Sequence, residues 1–575
     1  MKKLYPILIL CGLLLANCSD DYLDKSPISD VSTESFFRTA ADLKLYTNGF
    51  YLMFPGTNIY SGDSECGNIL DDSPSSLLLN TRTVPASGGG WSWENLRKIN
   101  YFLENYDRCD DESAKKHYSG VAYFFRAYFY FNMVMSFGDV PWYDKTMEVD
   151  DENLYKARDN RSYVVDLILE DLDLAITNLK EEQNGYEVTR YTALALKSRV
   201  GLFEGTYEKY RNISGYEKYL QASVDASLDL MENSPYSLYS TGNPETDYGT
   251  LFNSNDAQTE EVILARAYKQ ALVFAHRLNY YTVTASYGRP GMPKDMVNSY
   301  LKTDGSRFTD QPDYNQIFFT EETADRDPRL AQTIRTPGYT RKGQSQEIPP
   351  DLSATITGYQ LVKFVTEQEN DGIERNINDL PVFRFGETLL NYAEAKAELG
   401  TLTQADLDIS IKLLRERAGM PALKLADANA GPDLYLENFY PNVSGANKGV
   451  ILEIRRERRV ELYMENFRWP DIIRWKAGEA MMIPFRGIYL PGAGEYDMDG
   501  DGKVDWVLYE GNMPSTTIAG AKYYKLGADL VLSGENLIDP MSDYGDRTFD
   551  DKMYLQPIPT QELQLNPNLN QNPGW

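Results

Sequence analysis

Lys2 and Lys3 are followed by an almost wholly apolar run from Leu4 to Ala16. Crossing a bilayer core takes about 20 apolar residues, so the run is too short to span one. It has the form of the apolar middle of a secretory signal peptide. No later stretch is long and apolar enough to cross a membrane. After it, apolar positions fall into helical period. Val164, Leu167, Ile168, Leu172, Ala175, Ile176 and Leu179 recur at i, i+3, i+4. Leu407, Ile411, Leu414 and Ala418 do the same, and that helix is expected to stop at Gly419, with Pro421 beyond. Further helices are predicted over 94–106, 112–136, 191–210, 216–232, 384–399 and 448–466. Several fall in consecutive pairs, which predicts antiparallel helix hairpins stacked on one another. No fixed-period repeat marks the pairs. Between them lie long stretches rich in Gly, Pro, Asp and Tyr, over 53–92, 233–260, 276–380 and 483–550. Loops of that length in a folded domain usually carry function. No Ser/Gly/Pro linker divides the chain. The pattern predicts an all-α-dominated helix-pair scaffold with a loop-built binding face.

The apolar run ends at Leu15-Ala16-Asn17-Cys18, which resembles a bacterial lipobox. The expectation is cleavage after residue 17 and acylation of Cys18. Two or three acyl chains, at about 0.8 kcal/mol per buried CH₂, make a firm anchor where one is marginal. Asn17 departs from the usual Gly, Ala or Ser at that place. Of the four cysteines, Cys66 and Cys109 then remain in the body of the chain. They are read as free buried thiols, although an oxidising envelope permits pairing.

The formal charge of −28 argues against nucleic acid, whose binding rests on neutralised phosphates. The basic run Arg455-Arg456-Glu457-Arg458-Arg459 does not alter this. Glu453, Glu457, Glu461 and Glu465 recur every fourth residue, so the run reads as a salt-bridged helix. The 42 tyrosines exceed core needs and suit sugar rings, whose apolar faces pack on aromatic plates. The two histidines, His117 and His276, and the lack of H-E-x-x-H, C-x-x-C and G-x-S-x-G leave zinc and triad hydrolysis without support. A glycosidase needs only two carboxylates roughly 5–10 Å apart, which a composition with 85 acids does not exclude.

A set of short segments narrows the reading. They are Cys18-Ser-Asp-Asp-Tyr-Leu-Asp24, Trp93-Glu-Asn-Leu-Arg-Lys-Ile-Asn100, Arg126-Ala-Tyr-Phe-Tyr-Phe131 and Phe137-Gly-Asp-Val-Pro141. Then come Pro381-Val-Phe-Arg-Phe-Gly-Glu387, Tyr392-Ala-Glu-Ala395, Leu414-Arg-Glu-Arg-Ala-Gly419, Glu457-Arg-Arg-Val-Glu-Leu462 and Arg468-Trp-Pro-Asp471. The chain closes on Tyr554-Leu-Gln-Pro-Ile-Pro559 and Asn570-Gln-Asn-Pro-Gly-Trp575. In this order, from Cys18 to the last residue, they resemble the signatures of the SusD/RagB family. The resemblance implies four tetratricopeptide-like helix pairs in a single domain over 18–575. It implies a lipid-anchored, surface-exposed outer-membrane lipoprotein that captures oligosaccharide, without hydrolysis, for a TonB-dependent transporter of the SusC type. A peptide-binding member of the family is the alternative, and a surface glycoside hydrolase a further one. Arg126, Trp93, Glu387 and Arg474 are expected to fix helix packing and buried ion pairs.

Two local features carry site chemistry. Asp497, Asp499, Asp501 and Asp505 stand at positions 1, 3, 5 and 9 of an EF-hand-like loop, with Gly502 at position 6. Lys503 would offer its backbone carbonyl, and Leu508 replaces the usual Glu at position 12. The loop is expected to hold a structural Ca²⁺; an acidic turn without metal has the same letters. For sugar, Trp91 after Gly88-Gly-Gly90 is expected to be a loop platform, or else to pack on the neighbouring helix start. Asp71 and Asp72 lie in a loop where the family often places sugar contacts, and Tyr287 and Tyr359 are further loop aromatics.

Overall fold

The computed structural model describes residues 36–575; the Leu4–Ala16 run and Cys18 lie outside them. Among the described residues no helix is long and apolar enough to cross a membrane. The helices Glu112–Phe137 and Arg161–Asn178 pack antiparallel. Gly120 lies against Asn178 and Leu179, Arg126 pairs with Asp171, and Arg161 donates to the Val134 carbonyl. Arg190–Lys209 and Glu217–Asn233 form a second antiparallel pair. Arg190 there meets Asp229, and Ser198 meets Ser227 at 2.7 Å. A Cβ at Gly201 would lie 2.6 Å from the Tyr219 carbonyl oxygen, so only glycine lets these two helices approach so closely. Phe385–Glu398 stacks on this pair and on Lys448–Glu461. The result is a tetratricopeptide-like helix-pair scaffold, as expected.

Element boundaries differ in two places. The expected 407–418 helix is broken into Gln404–Asp408 and Ile411–Arg417. The expected 448–466 helix ends at Glu461, and Met464 and Asn466 then take positive φ. The ion pairs of this helix also differ from the i,i+4 ladder read in the sequence. Its arginines are buried and reach other elements: Arg456 to Asp433, Arg458 to Asp471, and Arg459 to Asp295. Glu461 is wholly buried and joins Arg384, Arg417 and Arg329. Burial raises its carboxyl pKa, but the three guanidinium groups outweigh that and hold it well below the usual range. The helix lies inside the molecule, so the partners of its charges had to come from neighbours.

The four signature residues assigned structural duty carry it. Arg126 binds Asp171 through two bonds, and Glu387 binds Arg199 at 2.7 Å. Arg474 bridges Glu394 and Asp471, and Trp93 packs on Phe129, Tyr130 and Tyr143. Cys66 and Cys109 are buried and free.

The long irregular stretches hold a second hydrophobic cluster that includes Tyr248, Met296, Tyr300, Phe319, Tyr359, Ile488 and Trp506. Two small sheets pin them. β1 (Val262–Arg266) pairs antiparallel with β2 (Leu380–Arg384), with register shifts. β3 (Gly494–Tyr496) pairs antiparallel with β4 (Trp506–Tyr509), which pairs in parallel with β5 (Lys522–Lys525).

Candidate functional site

The stretches 53–92 and 276–380 meet at Gly291. Leu70 and Gly291 exchange backbone hydrogen bonds of 2.9 and 2.8 Å. A Cβ at Gly291 would sit 2.2 and 2.4 Å from the Thr357 and Thr355 hydroxyls, so the joint requires glycine. Three residues away, the Asp72 amide donates to the Gly288 carbonyl at 2.9 Å. This places Asp71 and Asp72 beside Tyr287. The following turn is unusual, with Gly288 at φ 74° and Arg289 at φ 49°. A non-glycine residue in that region costs about 1–3 kcal/mol, and such strain collects at ligand sites. Arg289 is held there by its guanidinium, which donates to the Ser353 and Leu352 carbonyls.

Tyr287 is 42 % exposed. Its ring lies 5.7 Å from Tyr280 and 5.8 Å from Tyr281, with the Arg277 guanidinium 6.0 Å away. Tyr280 and Ser286 share a 3.0 Å hydroxyl contact. Beneath, Tyr281 is buried, and its hydroxyl has no hydrogen-bond partner. Asp71 is half-buried. Burial pushes its carboxyl up to about 6, against the Ser73 amide that stabilises its charge, while the Asp72 charge adds to the rise. An exposed phenol plate thus stands beside two carboxylate acceptors and a guanidinium that is paired with Glu374 at 3.2 Å. That combination offers an apolar face to a sugar ring and bonds to its hydroxyls. The sequence reading passed over Arg277 and Tyr280; the adjacent tyrosines at the head of the 276–380 stretch were the available signal.

Two other aromatics named for this role lie elsewhere. Trp91 is only 6 % exposed and packs edge-on against Phe137 at 4.9 Å and Trp93 at 5.4 Å. This corrects the expectation of a loop platform. Gly88, Gly89 and Gly90 all take positive φ and turn the chain inward. Trp91 does line a cleft of about 540 Å³, together with Trp93, Tyr143 and Tyr155, four leucines, and polar residues that include Arg97 and Asn100. Tyr359 is fully buried, and its hydroxyl donates to Glu322 at 2.6 Å, so it is a core residue rather than a surface aromatic.

The acidic loop joins β3 to β4. Carboxylate oxygens of Asp497, Asp499 and Asp501 lie within 4.8 Å of one another. Asp497 accepts from the Gly500 and Gly502 amides, which curl the loop around it. Both glycines have positive φ. The Lys503 ammonium pairs with Asp501 at 2.5 Å. Asp505 accepts from the Met498 amide at 2.7 Å and stands outside the three-carboxylate cluster. Three carboxylates thus stand close enough to share one hard cation, supplying part of the roughly 6–8 oxygens that Ca²⁺ takes, and the lysine occupies part of that space.

Comparison with known proteins adds to this geometry. A model described as the SusD family matches residues 235–575, and one described as "Starch-binding associating with outer membrane" matches residues 21–202. A SusD-like protein of Formosa agariphila is 24 % identical over 526 residues, covering 85 % of this chain and 95 % of its own length. A SusD-like carbohydrate-binding protein of Bacteroides fragilis superposes with a TM-score of 0.68 at 20 % identity, over 93 % of this chain and all of the other. A structure described as holding xylogluco-oligosaccharide superposes with a TM-score of 0.61 at 19 % identity, over 92 % and 98 %.

Proposed function

The chain belongs to the SusD family, and from that premise we propose that it is a cell-surface glycan-binding subunit. The mature chain, residues 18–575, acts as one domain. It captures an oligosaccharide and passes it to a SusC-like TonB-dependent outer-membrane transporter, without cleaving it. Acylated Cys18 holds it to the outer membrane. The observation that carries this reading is the exposed Tyr287 ring, fixed beside Asp71 and Asp72 by the Leu70–Gly291 joint. The family description as starch-binding and a structural neighbour with a bound xylogluco-oligosaccharide support sugar as the ligand class.

The same proposal gives the 497–505 loop one structural Ca²⁺, held by Asp497, Asp499 and Asp501 once Lys503 yields its place. It would tie the β3–β4 turn and take no part in sugar chemistry.

Native affinity gels with a panel of polysaccharides, followed by product analysis and a parallel peptide panel, test the capture reading. Retardation by a glycan with no new reducing ends is the expected result. Retardation by peptides alone would move the protein to the peptide-binding branch, and new reducing ends would make it a hydrolase.

A further inference from the structure

A second crevice, of about 530 Å³, shares no lining residue with the Tyr287 site. Its walls come from segments far apart in the chain, including the Lys294–Val297 turn, the Leu434–Phe439 helix and residues 533–537. The charges along it are mostly engaged within the protein. Lys294 pairs with Glu322, Asp295 with Arg459, and Arg486 with Asp539. Apart from Glu535, the groups left to meet a ligand are neutral. Two tyrosines, Tyr314 and Tyr435, stand with ring centroids 6.1 Å apart and planes at 87°. Three amides, Asn298, Asn315 and Asn438, line the same space. Asn298 is 3 % exposed; its Nδ2 donates to the Tyr435 hydroxyl at 3.5 Å, and its buried Oδ1 has no hydrogen-bond partner. An orphaned buried acceptor costs stability unless something satisfies it.

We propose that this crevice is a second carbohydrate site, which takes a neutral, hydroxyl-rich pyranose unit. The two rings, packed edge to face on one another, offer an apolar wall to a sugar, and amides supply both donors and acceptors to its hydroxyls. Engaged cations leave nothing to hold a phosphate or an acidic sugar. The volume lies within the roughly 300–1,000 Å³ typical of small-ligand pockets. The two sites lie on one stretch of chain. Tyr287 and Asp295 are eight residues apart, so their Cα atoms are separated by at most roughly 28 Å. Along that stretch Gly291 bonds Leu70, Met292 bonds Tyr359, and Lys294 bonds Arg486. Residues 290–294 are buried, so the stretch passes beneath the surface, and a glycan long enough to run over it would make the second contact intramolecular. The inference rests on the glycan-capture reading.

The test uses the unlipidated mature protein, with soluble starch, xyloglucan and galactomannan as probes and short oligosaccharides of whichever one retards it. Calorimetry of wild type with the short oligosaccharide should give two sites per chain. Tyr314→Ala and Tyr287→Ala should each leave one, and Tyr314→Ala should weaken binding of the long chain about tenfold or more by loss of avidity. Asn438→Ala, on a different segment, repeats the test should Tyr314→Ala fail to fold. One site in wild type, or unchanged stoichiometry in both crevice variants while Tyr287→Ala loses binding, would overturn the second site and leave capture standing. Wild type that binds none of the three probes would remove the capture reading on these glycans and this inference with it.

Discussion

At single positions, glycine decides where the aromatic rings of this protein go. Gly291 permits the joint that sets Tyr287 beside Asp71, whereas the Gly88–Gly90 turn delivers Trp91 to the core. Three glycines before a tryptophan mark a sharp turn in the sequence, but not which way the ring then faces. Tyr359 sits in a stretch that alternates polar and apolar residues from Asp351 to Leu361, but Thr355, Thr357 and Gln360 are buried with it, so the polar positions there do not mark a solvent face. Trp91→Ala should accordingly cost about 3–5 kcal/mol of stability through the cavity left between Phe137 and Trp93. Denaturant unfolding measures it, and glycan affinity of the folded variant should be unchanged. A stable variant that loses affinity would return Trp91 to the binding face. Asp71 gives a pH signature. Burial raises its carboxyl to about 6, and a sugar hydroxyl donates best to the ionised form. Binding then lowers its pKa, so affinity should rise from pH 5 to pH 7 and level off above. Asp71→Asn should flatten that profile; an identical profile in the variant would assign the titration to another group.

Among the elements, the long helices were legible because their apolar period is strong, and the observed 112–137 and 217–233 fall within a residue of the expected spans. The breaks at residues 409–410 and after Glu461 were not. They depend on tertiary partners that a period does not show. The arginines of Lys448–Glu461 illustrate the same limit: the every-fourth spacing sets glutamate beside glutamate, Arg456 meets Glu453 at i,i+3, and the other partners come from neighbouring elements. In the β3–β4 turn, sequence spacing correctly brought Asp497, Asp499 and Asp501 together, while Asp505 went to a backbone amide. Calcium should raise the melting temperature. A ligand that binds only the native state adds about 2.7 kcal/mol at a hundredfold excess over Kd. Asp499→Ala with Asp501→Ala should erase the difference between calcium and chelator. Coincident wild-type melting curves in the two conditions would rule out a stabilising ion.

For the molecule as a whole, the helix-pair scaffold gives rigidity, and the loops packed around the second hydrophobic cluster give the candidate face. The family was legible in the sequence because its signatures are mostly packing residues and buried ion pairs, which a fold retains whatever it binds. The sugar contacts were only partly legible, since they depend on which loops meet. Cys18→Ala should leave the fold intact and move the protein from the membrane to the soluble fraction; a variant still wholly in the outer membrane would refute the anchor. Capture without turnover is tested most directly by calorimetry of wild type and Tyr287→Ala with the glycan selected by affinity gel, with the same mixtures assayed for reducing ends. Removing one stacked ring should cost on the order of 1–2 kcal/mol, or roughly five- to thirtyfold in Kd, with no product formed. Equal affinity in the two proteins would take the platform away from Tyr287, and new reducing ends would contradict capture itself.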